Sequence, residues 1–188
     1  MALLETPQPN LGQIAPDFAL KGTDGKTYRL ENVKGPNGLL VMFICNHCPF
    51  VKAITDRLPE DVADLQKAGV GVIAINSNDT IAYPEDDFAN MQKFALFNNF
   101  NFPYVIDETQ DVGKAYGAVC TPDFFGYNHK LELQYRGRLD DAGRNPRSGA
   151  TKRELVDAML WIAETGYGPT GQHPSMGCSI KWKDTQHA

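Results

Sequence analysis

The pattern of apolar and polar positions along the chain predicts short strands interspersed with helices. Apolar and polar residues alternate over 15–30 around Thr23-Asp24-Gly25, which predicts a β-hairpin because Asp-Gly supplies the positive φ that tight turns need. The runs 38–44 and 70–76 are short and continuously apolar, as in buried central strands. Further strands are predicted at 102–107, 123–128 and 131–137, the last two as an antiparallel pair.

Helical spacing of apolar residues appears between these strands. From Pro49 to Ala68 apolar residues recur at intervals of one, three and four positions, which predicts a helix that bends or breaks at Pro59. Thr151 and Glu154 have the spacing of a capping box. Helices are predicted at 49–68, 84–99, 109–118 and 151–166. The order of elements predicts an α/β fold with a central mixed β-sheet flanked by helices and an N-terminal β-hairpin.

The C-terminal segment 166–188 is rich in Gly and Pro, and we predict that it is irregular. Trp182 is expected to pack back over the core. A length of 188 residues predicts one domain that spans 1–188.

The composition excludes several classes of partner. The 23 acidic and 18 basic residues give a net charge of −5, so no basic face is expected and nucleic acid is not predicted as a partner. No apolar run approaches the roughly 18 residues of a membrane span, so no membrane association is expected. The N-terminus has neither the basic region nor the apolar core of a signal peptide, which predicts a cytoplasmic protein. In a reducing compartment cysteines are more often catalytic, metal-binding or buried than permanently bridged.

Two of the four cysteines stand together in Cys45-Asn46-His47-Cys48, directly after the predicted strand 38–44. A structural zinc site needs four ligands, usually in two clustered pairs, but Cys120 and Cys178 each stand alone. Two inert buried thiols are the remaining alternative to redox chemistry. Redox chemistry is favoured by the position of the pair between a buried strand and a helix, and no metal or cofactor is predicted.

The predicted helix assigns a role to each cysteine. Cys45 would lie over the helix N-terminus, where unpaired N–H groups and the macrodipole stabilise a thiolate, the species that attacks disulfides. Cys48, one turn inside the helix, would resolve the mixed disulfide. His47, when protonated, would further favour the thiolate, and we expect both Asn46 and His47 to tune the redox potential. The alternative for His47 is a solvent-facing side chain without a role.

The stretch 119–125 places Pro122 just before a predicted strand. Its peptide bond could be cis and lie beside the two cysteines, although trans is the commoner state. Cys120 could then exchange with the pair, and Cys178 could bridge to Cys120 or cap the site. A free buried thiol is the favoured alternative for both residues.

A second cluster of charged residues lies in 135–147 and includes Arg136, Arg138, Asp140 and Asp141. These side chains, Arg138 among them, could bind a substrate group near the site. A surface ion-pair loop is the favoured alternative, because such pairs are common and weak.

With these residues identified, the chain resembles the thioredoxin superfamily in its redoxin branch, which includes the alkyl hydroperoxide reductase and thiol-specific antioxidant group. The stretches that carry the resemblance are "APDFALKGTDGKTYRL", "VMFICNHCPFVK" and "CTPDFF", and it covers about residues 12–165. More narrowly, "CNHCPFVK", "CTPDFFGYN", "YRGRLDD" and "GCSIKWK" resemble bacterial thioredoxin-like proteins labelled as probable thiol-disulfide isomerases. The resemblance implies a thioredoxin-like fold, Cys45 and Cys48 as the redox pair, and a cis bond between Thr121 and Pro122.

The expected activity is thiol-disulfide exchange with a disulfide-containing protein or small thiol. An unidentified reductant would supply the electrons. One alternative is a thiol peroxidase in which Cys45 forms a sulfenic acid that Cys48 resolves. Peroxiredoxins, however, place Thr or Ser three residues before the reactive cysteine, and that position before Cys45 is Met42. The other alternative is a domain without catalytic activity that binds a metal or a partner. No acid lies within 39–44 to accept a proton from Cys48.

Overall fold

The computed structural model describes residues 2–183 and contains two sheets. The strands are β1 (Leu3–Glu5), β2 (Ala19–Gly22), β3 (Thr27–Arg29), β4 (Gly38–Phe43), β5 (Val70–Asn76), β6 (Tyr104–Ile106), β7 (Cys120–Thr121), β8 (Asp123–Tyr127), β9 (Leu133–Tyr135) and β10 (Met176–Ser179). The helices are α1 (Leu30–Val33), α2 (Pro49–Lys52), α3 (Leu58–Lys67), α4 (Phe88–Phe97), α5 (Asp111–Tyr116) and α6 (Glu154–Thr165), and a 3-10 turn covers Pro84–Asp86.

The seven-stranded sheet has the order β3-β2-β6-β5-β4-β8-β9 and is mixed, as predicted. Strands β4, β5 and β6 are parallel to one another, whereas β8 and β9 continue the sheet in antiparallel fashion. The hairpin of β2 and β3 around Asp24-Gly25 confirms the prediction for the N-terminal segment.

Strand β4 is apolar throughout because both faces of the sheet are covered. Leu40 and Met42 belong to a buried cluster that includes residues of α3 and α6. Leu39 and Val41 belong to the cluster on the other face, together with Tyr116 of α5. The continuous apolar run therefore reflects two hydrophobic layers, one on each side of the sheet.

The predicted helix 49–68 is two helices, and its break does not lie at Pro59. Helix α2 ends at Lys52 and α3 begins at Leu58, which places Pro59 in the first turn of α3. A proline is tolerated there because its missing N–H has no helical partner.

The capping box predicted from Thr151 and Glu154 is wrong. Helix α6 has Arg153 at its N-cap, and the Thr151 hydroxyl accepts the Ser148 N–H instead. The Glu154 carboxylate pairs with Arg138 rather than with the helix N-terminus.

The prediction of an irregular C-terminal segment is wrong for residues 176–179. They form β10, the central strand of a three-stranded antiparallel sheet with the order β1-β10-β7. Trp182 does pack back onto the fold, since the Lys114 ammonium lies 5.9 Å from the centre of its ring. Within residues 2–183, no helix combines the length and apolarity that crossing a membrane requires.

Candidate active site

The two neighbouring cysteines lie where the central strands end. Cys45 follows the carboxyl end of β4, and Pro122 immediately precedes β8, whose first residue pairs with Phe43 at that end of β4. The Thr121–Pro122 peptide bond is cis, as the resemblance implied. In open α/β sheets ligands bind at the carboxyl ends of the strands, which makes this edge the expected place for chemistry.

The start of α2 gives the cysteines positions other than those predicted. Pro49 is the first helical residue and Cys48 is the N-cap, so Cys45 lies four residues before the first helical residue. Proline is pre-organised for the first helical position, which fixes the helix start at this point. The prediction that Cys48 lies one turn inside the helix is therefore wrong.

Thr121 contacts both sulfur atoms. The Cys48 thiol donates a hydrogen bond to the Thr121 carbonyl oxygen at 3.1 Å, and the Cys45 Sγ lies 3.4 Å from the Thr121 Oγ1. Both cysteines are buried, with 1% of Cys45 and 0% of Cys48 exposed. Thr121 therefore ties the loop before β8 to both members of the pair.

The thiols of Cys45 and Cys48 shift each other's pKa in opposite directions. The pKa of Cys48 is lowered, first because the Cys45 thiol donates to its sulfur, with further support from Thr121 and the main-chain N–H of Cys178. The pKa of Cys45 is raised, first by this bond to Cys48, then by burial and by the negative charge of Asp86. Cys48, at the helix N-cap, is thus the thiol that ionises more readily, whereas the sequence led us to expect the thiolate on Cys45.

His47 is not solvent-facing, because it forms an ion pair with a buried acid. Its Nδ1 lies 2.7 Å from the Asp86 Oδ2, and its ring stacks on Tyr83 with the ring centres 5.7 Å apart. The hydrogen bond to Asp86 raises the pKa of His47. Burial alone would raise the pKa of Asp86, but the bonds from His47 and Asn78 bring it below its ordinary value.

Asn46 is held by three hydrogen bonds. Its main-chain N–H donates to the Asp86 Oδ1 at 2.8 Å, and its side-chain amide donates to the Glu85 carbonyl oxygen at 3.0 Å. The Tyr104 hydroxyl donates to the Asn46 Oδ1 at 2.9 Å. The conformation of the two residues between the cysteines is therefore fixed from outside the pair.

The sequence did not single out Asp86, Asn78 or Tyr104 as site residues. Asp86 was part of a predicted helix, where acids in the first turn are ordinary. A usable signal was the polar run 76–79, which starts at the last residue of β5, because the carboxyl ends of the parallel strands β4 and β5 meet at one edge.

A metal ion would find three candidate ligands at this edge. One ligating atom each from Cys45, His47 and Asp86 lie within 4.8 Å of one another. The Asp86 carboxylate, however, already accepts hydrogen bonds from His47, from the Asn46 N–H and from Asn78. The contacts of this acid thus fit a positioning role better than metal ligation.

An internal ion pair holds the loop around Pro122. Arg136 donates to both carboxylate oxygens of Asp123, at 3.2 and 2.9 Å, and both side chains are buried. The same carboxylate accepts the Val119 N–H at 3.1 Å, and Arg136 also donates to the Gly117 carbonyl oxygen. Through these hydrogen bonds Arg136 holds the Thr121–Pro122 loop in place. Its side chain is buried and is not part of a surface loop.

Of the other charged residues singled out in 135–147, Arg138 and Asp140 form ion pairs and Asp141 accepts the Lys152 main-chain N–H, but Asp140 is buried and does not belong to the predicted surface ion-pair loop. Arg138 makes two hydrogen bonds of 2.8 Å to Glu154, and Asp140 pairs with Arg147. Arg138 nevertheless lines a cleft of about 860 Å³ that Pro49, Phe50, Pro122 and Met176 also line. This cleft adjoins the start of α2 and the Pro122 loop.

The structure brings Cys178, and not Cys120, to the cysteine pair. In the β7–β10 register Cys178 lies opposite Thr121, and Cys120 lies opposite Ser179. Successive residues of a strand point to opposite faces, so Cys120 and Cys178 face opposite sides and this register does not favour a bridge between them. All four cysteines are free and buried, and burial raises the pKa of Cys120.

One protein family and several curated proteins match the chain. The model of the AhpC/TSA family matches residues 11–141. Thiol-disulfide oxidoreductase ResA from Geobacillus thermodenitrificans is 31% identical over 115 residues, which cover 61% of this chain and 62% of that protein. Peroxiredoxin Bcp from Escherichia coli is 28% identical over 115 residues, covering 61% and 69%. This chain thus matches less than two thirds of the ResA sequence.

Solved structures resemble the chain over a longer span. A conserved protein from Geobacillus kaustophilus, described as uncharacterized, superimposes with a TM-score of 0.90 and 46% identity over 98% of both chains. The thioredoxin domain of a thiol-disulfide oxidoreductase from Bacteroides vulgatus gives a TM-score of 0.58 at 17% identity, covering 69% of this chain and 89% of that one. The second likeness concerns the fold alone.

Proposed function

Because the chain belongs to the AhpC/TSA family and has a thioredoxin-like fold, we propose that it is a thiol-disulfide oxidoreductase that works through Cys45 and Cys48. The observation that carries this proposal is the contact of both sulfur atoms with Thr121, at the edge of the sheet where β4 ends. The partners would be a disulfide-containing protein or small thiol and a cellular reductant. Named relatives of the family include both thiol-disulfide oxidoreductases and peroxiredoxins.

Proton transfer between the two cysteines supplies the acid-base chemistry of the exchange. As a disulfide approaches, the Cys48 thiolate takes the proton of Cys45, and the Thr121 carbonyl accepts a hydrogen bond from the new Cys48 thiol. The Cys45 sulfur attacks one sulfur of the substrate, whose other sulfur leaves and takes up a proton. Cys48 then loses its proton and attacks the Cys45 sulfur, which releases the second substrate thiol. The substrate disulfide gains two electrons and the cysteine pair becomes a disulfide.

Burial of the pair restricts how a substrate can reach it. Because almost nothing of Cys45 or Cys48 is exposed, exchange with a protein disulfide requires local displacement of the covering residues. The cleft beside Pro122 and Phe50 would then bind the substrate polypeptide on one side of the substrate disulfide. A small disulfide needs a smaller opening, and we expect it to react faster than a folded protein does.

The same burial favours one alternative function, a thiol peroxidase, since a peroxide is small enough to reach an enclosed sulfur. The sequence argues against this alternative, because the buried Met42 takes the position where peroxiredoxins carry the hydroxyl that polarises the peroxide. Rapid thiol loss that saturates at low hydrogen peroxide concentration would favour this alternative over disulfide exchange.

The first prediction is a reversible two-electron transition at Cys45 and Cys48. The protein is equilibrated with mixtures of reduced and oxidised glutathione, quenched and alkylated, and its disulfides are located by peptide mapping. A potential near −270 mV, about that of thioredoxin, would indicate a reductant, and a value near −120 mV, about that of DsbA, an oxidant. The Cys120→Ala variant is the control and should titrate like the wild type. If no reversible disulfide joins Cys45 and Cys48, the proposal is wrong.

The second prediction concerns the ion pair beside the cysteines. Asp86→Asn removes a negative charge that raises the pKa of Cys45, so it should stabilise the reduced pair and shift the potential to a less negative value. His47→Gln leaves Asp86 without its cation and should shift the potential the opposite way. Each shift is expected to be on the order of 30 mV, a tenfold change in the equilibrium constant. Glutathione equilibration measures both, and shifts of the same sign would contradict the charge argument.

A further inference from the structure

A third thiol, that of Cys178, lies beside the pair, and the exchange described above does not use it. Strand β10 pairs antiparallel with β7, and Cys178 lies directly opposite Thr121. The side chains of directly opposite residues share one face of the sheet, with Cβ atoms about 4.5–5.5 Å apart. Thr121 is also the residue that contacts both Cys45 and Cys48. The register therefore places the Cys178 thiol on the face that carries the pair.

The position of Cys178 is fixed by close packing of its neighbours. A Cβ atom added to Gly177 would lie 2.0 Å from the Thr121 carbonyl oxygen, so only glycine allows the main chain of β10 to come this close. The Ser175 hydroxyl donates to the Pro122 carbonyl oxygen at 2.8 Å. Strand β10 is thus attached to the Thr121–Pro122 loop on both sides of Gly177.

Cys178 also shares the environment of the pair. Cys45, Cys48 and Cys178 belong to one buried cluster, and the main-chain N–H of Cys178 contributes to lowering the pKa of Cys48. The pKa of Cys178 is raised to about 11, first by burial and then by the neighbouring Cys48 sulfur. Because the charge on Cys48 disappears when Cys48 enters a disulfide, part of this rise is removed in the oxidised protein.

We propose that Cys178 is a second disulfide partner of Cys48, an inference that rests on the proposed exchange function. In the oxidised protein the Cys178 sulfur attacks the Cys48 sulfur. The Cys45–Cys48 bond breaks, a Cys48–Cys178 bond forms, and the proton of Cys178 ends on Cys45. The rearrangement conserves electrons and needs no external oxidant or reductant.

The rearrangement changes what the site can do with a substrate. It leaves Cys45 as a free thiol while Cys48 is held in the second disulfide. A mixed disulfide formed on Cys45 is then not resolved by Cys48, which gives the attached substrate time to reshuffle its own disulfides. Cys178 would thus favour isomerisation over net reduction.

Cys120 provides the matched control for this inference. It lies in β7, the strand beside β10, and is as buried as the other cysteines. Its side chain, however, is on the opposite face of the sheet from the side chain of Cys178. Proximity in the sequence to Thr121 alone would favour Cys120 as the partner of Cys48, whereas the register favours Cys178.

The test compares two variants that lack Cys45, with glutathione as the probe. Cys45→Ala retains Cys48, Cys120 and Cys178, and the double variant Cys45→Ala/Cys178→Ala retains Cys48 and Cys120. After equilibration with oxidised glutathione and peptide mapping, the first should carry a Cys48–Cys178 disulfide and the second a glutathione adduct on Cys48. The adduct should be at least about tenfold less abundant in the first variant, because a neighbouring thiol acts at high effective concentration. Equal adduct in both variants would overturn the inference.

The wild-type protein provides a test that does not depend on the folding of a variant. In protein partly oxidised with glutathione, peptide mapping should find a Cys48–Cys178 linkage beside the Cys45–Cys48 linkage. Cys45–Cys48 alone would overturn the role of Cys178 and leave the proposed exchange intact. If neither linkage forms reversibly, the proposed function fails as well.

Discussion

Cys48→Ser is expected to stop turnover and to leave the substrate covalently attached to Cys45. Without Cys48 the mixed disulfide on Cys45 loses the thiol that resolves it in the proposed exchange, so catalytic reduction of glutathione disulfide should fall to near the uncatalysed rate. The first attack should persist, because the bond to Cys48 is the main cause of the raised pKa of Cys45 and the substitution removes that thiol. Intact-mass spectrometry should show one glutathione per chain, and peptide mapping should locate it on Cys45.

The reciprocal variant identifies the attacking sulfur. Cys45→Ser and Cys48→Ser are compared in a Cys178→Ala background, which removes the other neighbouring thiol. We expect the glutathione adduct to form faster on Cys45 in the Cys48→Ser protein than on Cys48 in the Cys45→Ser protein. Cys48 is the thiol with the lowered pKa, and the opposite order of rates would therefore make Cys48 the nucleophile and Cys45 the resolving thiol.

The parts of the fold that the sequence predicted well depend on local patterns. The runs 38–44 and 70–76 are continuously apolar because both faces of β4 and β5 are covered, and such runs can be recognised without tertiary information. The Asp24-Gly25 turn is likewise a local signal, and it forms the hairpin of β2 and β3. The cysteine pair could be proposed as a candidate site from sequence because it lies directly between a buried strand and a helix.

The parts that could not be predicted depend on contacts between distant segments. The Asp86 carboxylate accepts the main-chain N–H of Asn46, which lies 40 positions earlier in the sequence. The sequence around Asp86 does not mark it as a buried acid. The break between α2 and α3 is accompanied by hydrogen bonds from the Arg57 guanidinium to the carbonyl oxygens of Gly143 and Asn145, more than 80 residues away. Strand β10 depends on the close approach of Gly177 to Thr121, where a glycine-rich sequence suggested irregular structure.

Arg136→Met is expected to destabilise the protein by about 3–5 kcal/mol, the typical cost of leaving a buried charge without its partner. Asp123 is 0% exposed, and Arg136 supplies two of its hydrogen bonds. The measurement is the free energy of unfolding in urea, with the midpoint compared at constant slope. The double variant Asp123→Asn/Arg136→Met should recover part of the loss, because it removes the unpaired charge.

The pH dependence and a matched substitution test the physical cause of that loss. Burial raises the pKa of Asp123, and removal of Arg136 should raise it further. A carboxyl group whose pKa is higher in the folded than in the unfolded state favours folding at low pH, and this contribution is lost as the pH rises through the folded-state value. The deficit of Arg136→Met should therefore be largest near neutral pH and smaller in acid.

Arg138→Met removes the same side chain from a partly exposed pair with Glu154 and should cost only about 0.2–1 kcal/mol. Equal losses from the two substitutions would mean that the buried pair with Asp123 is not what holds the Thr121–Pro122 loop in place.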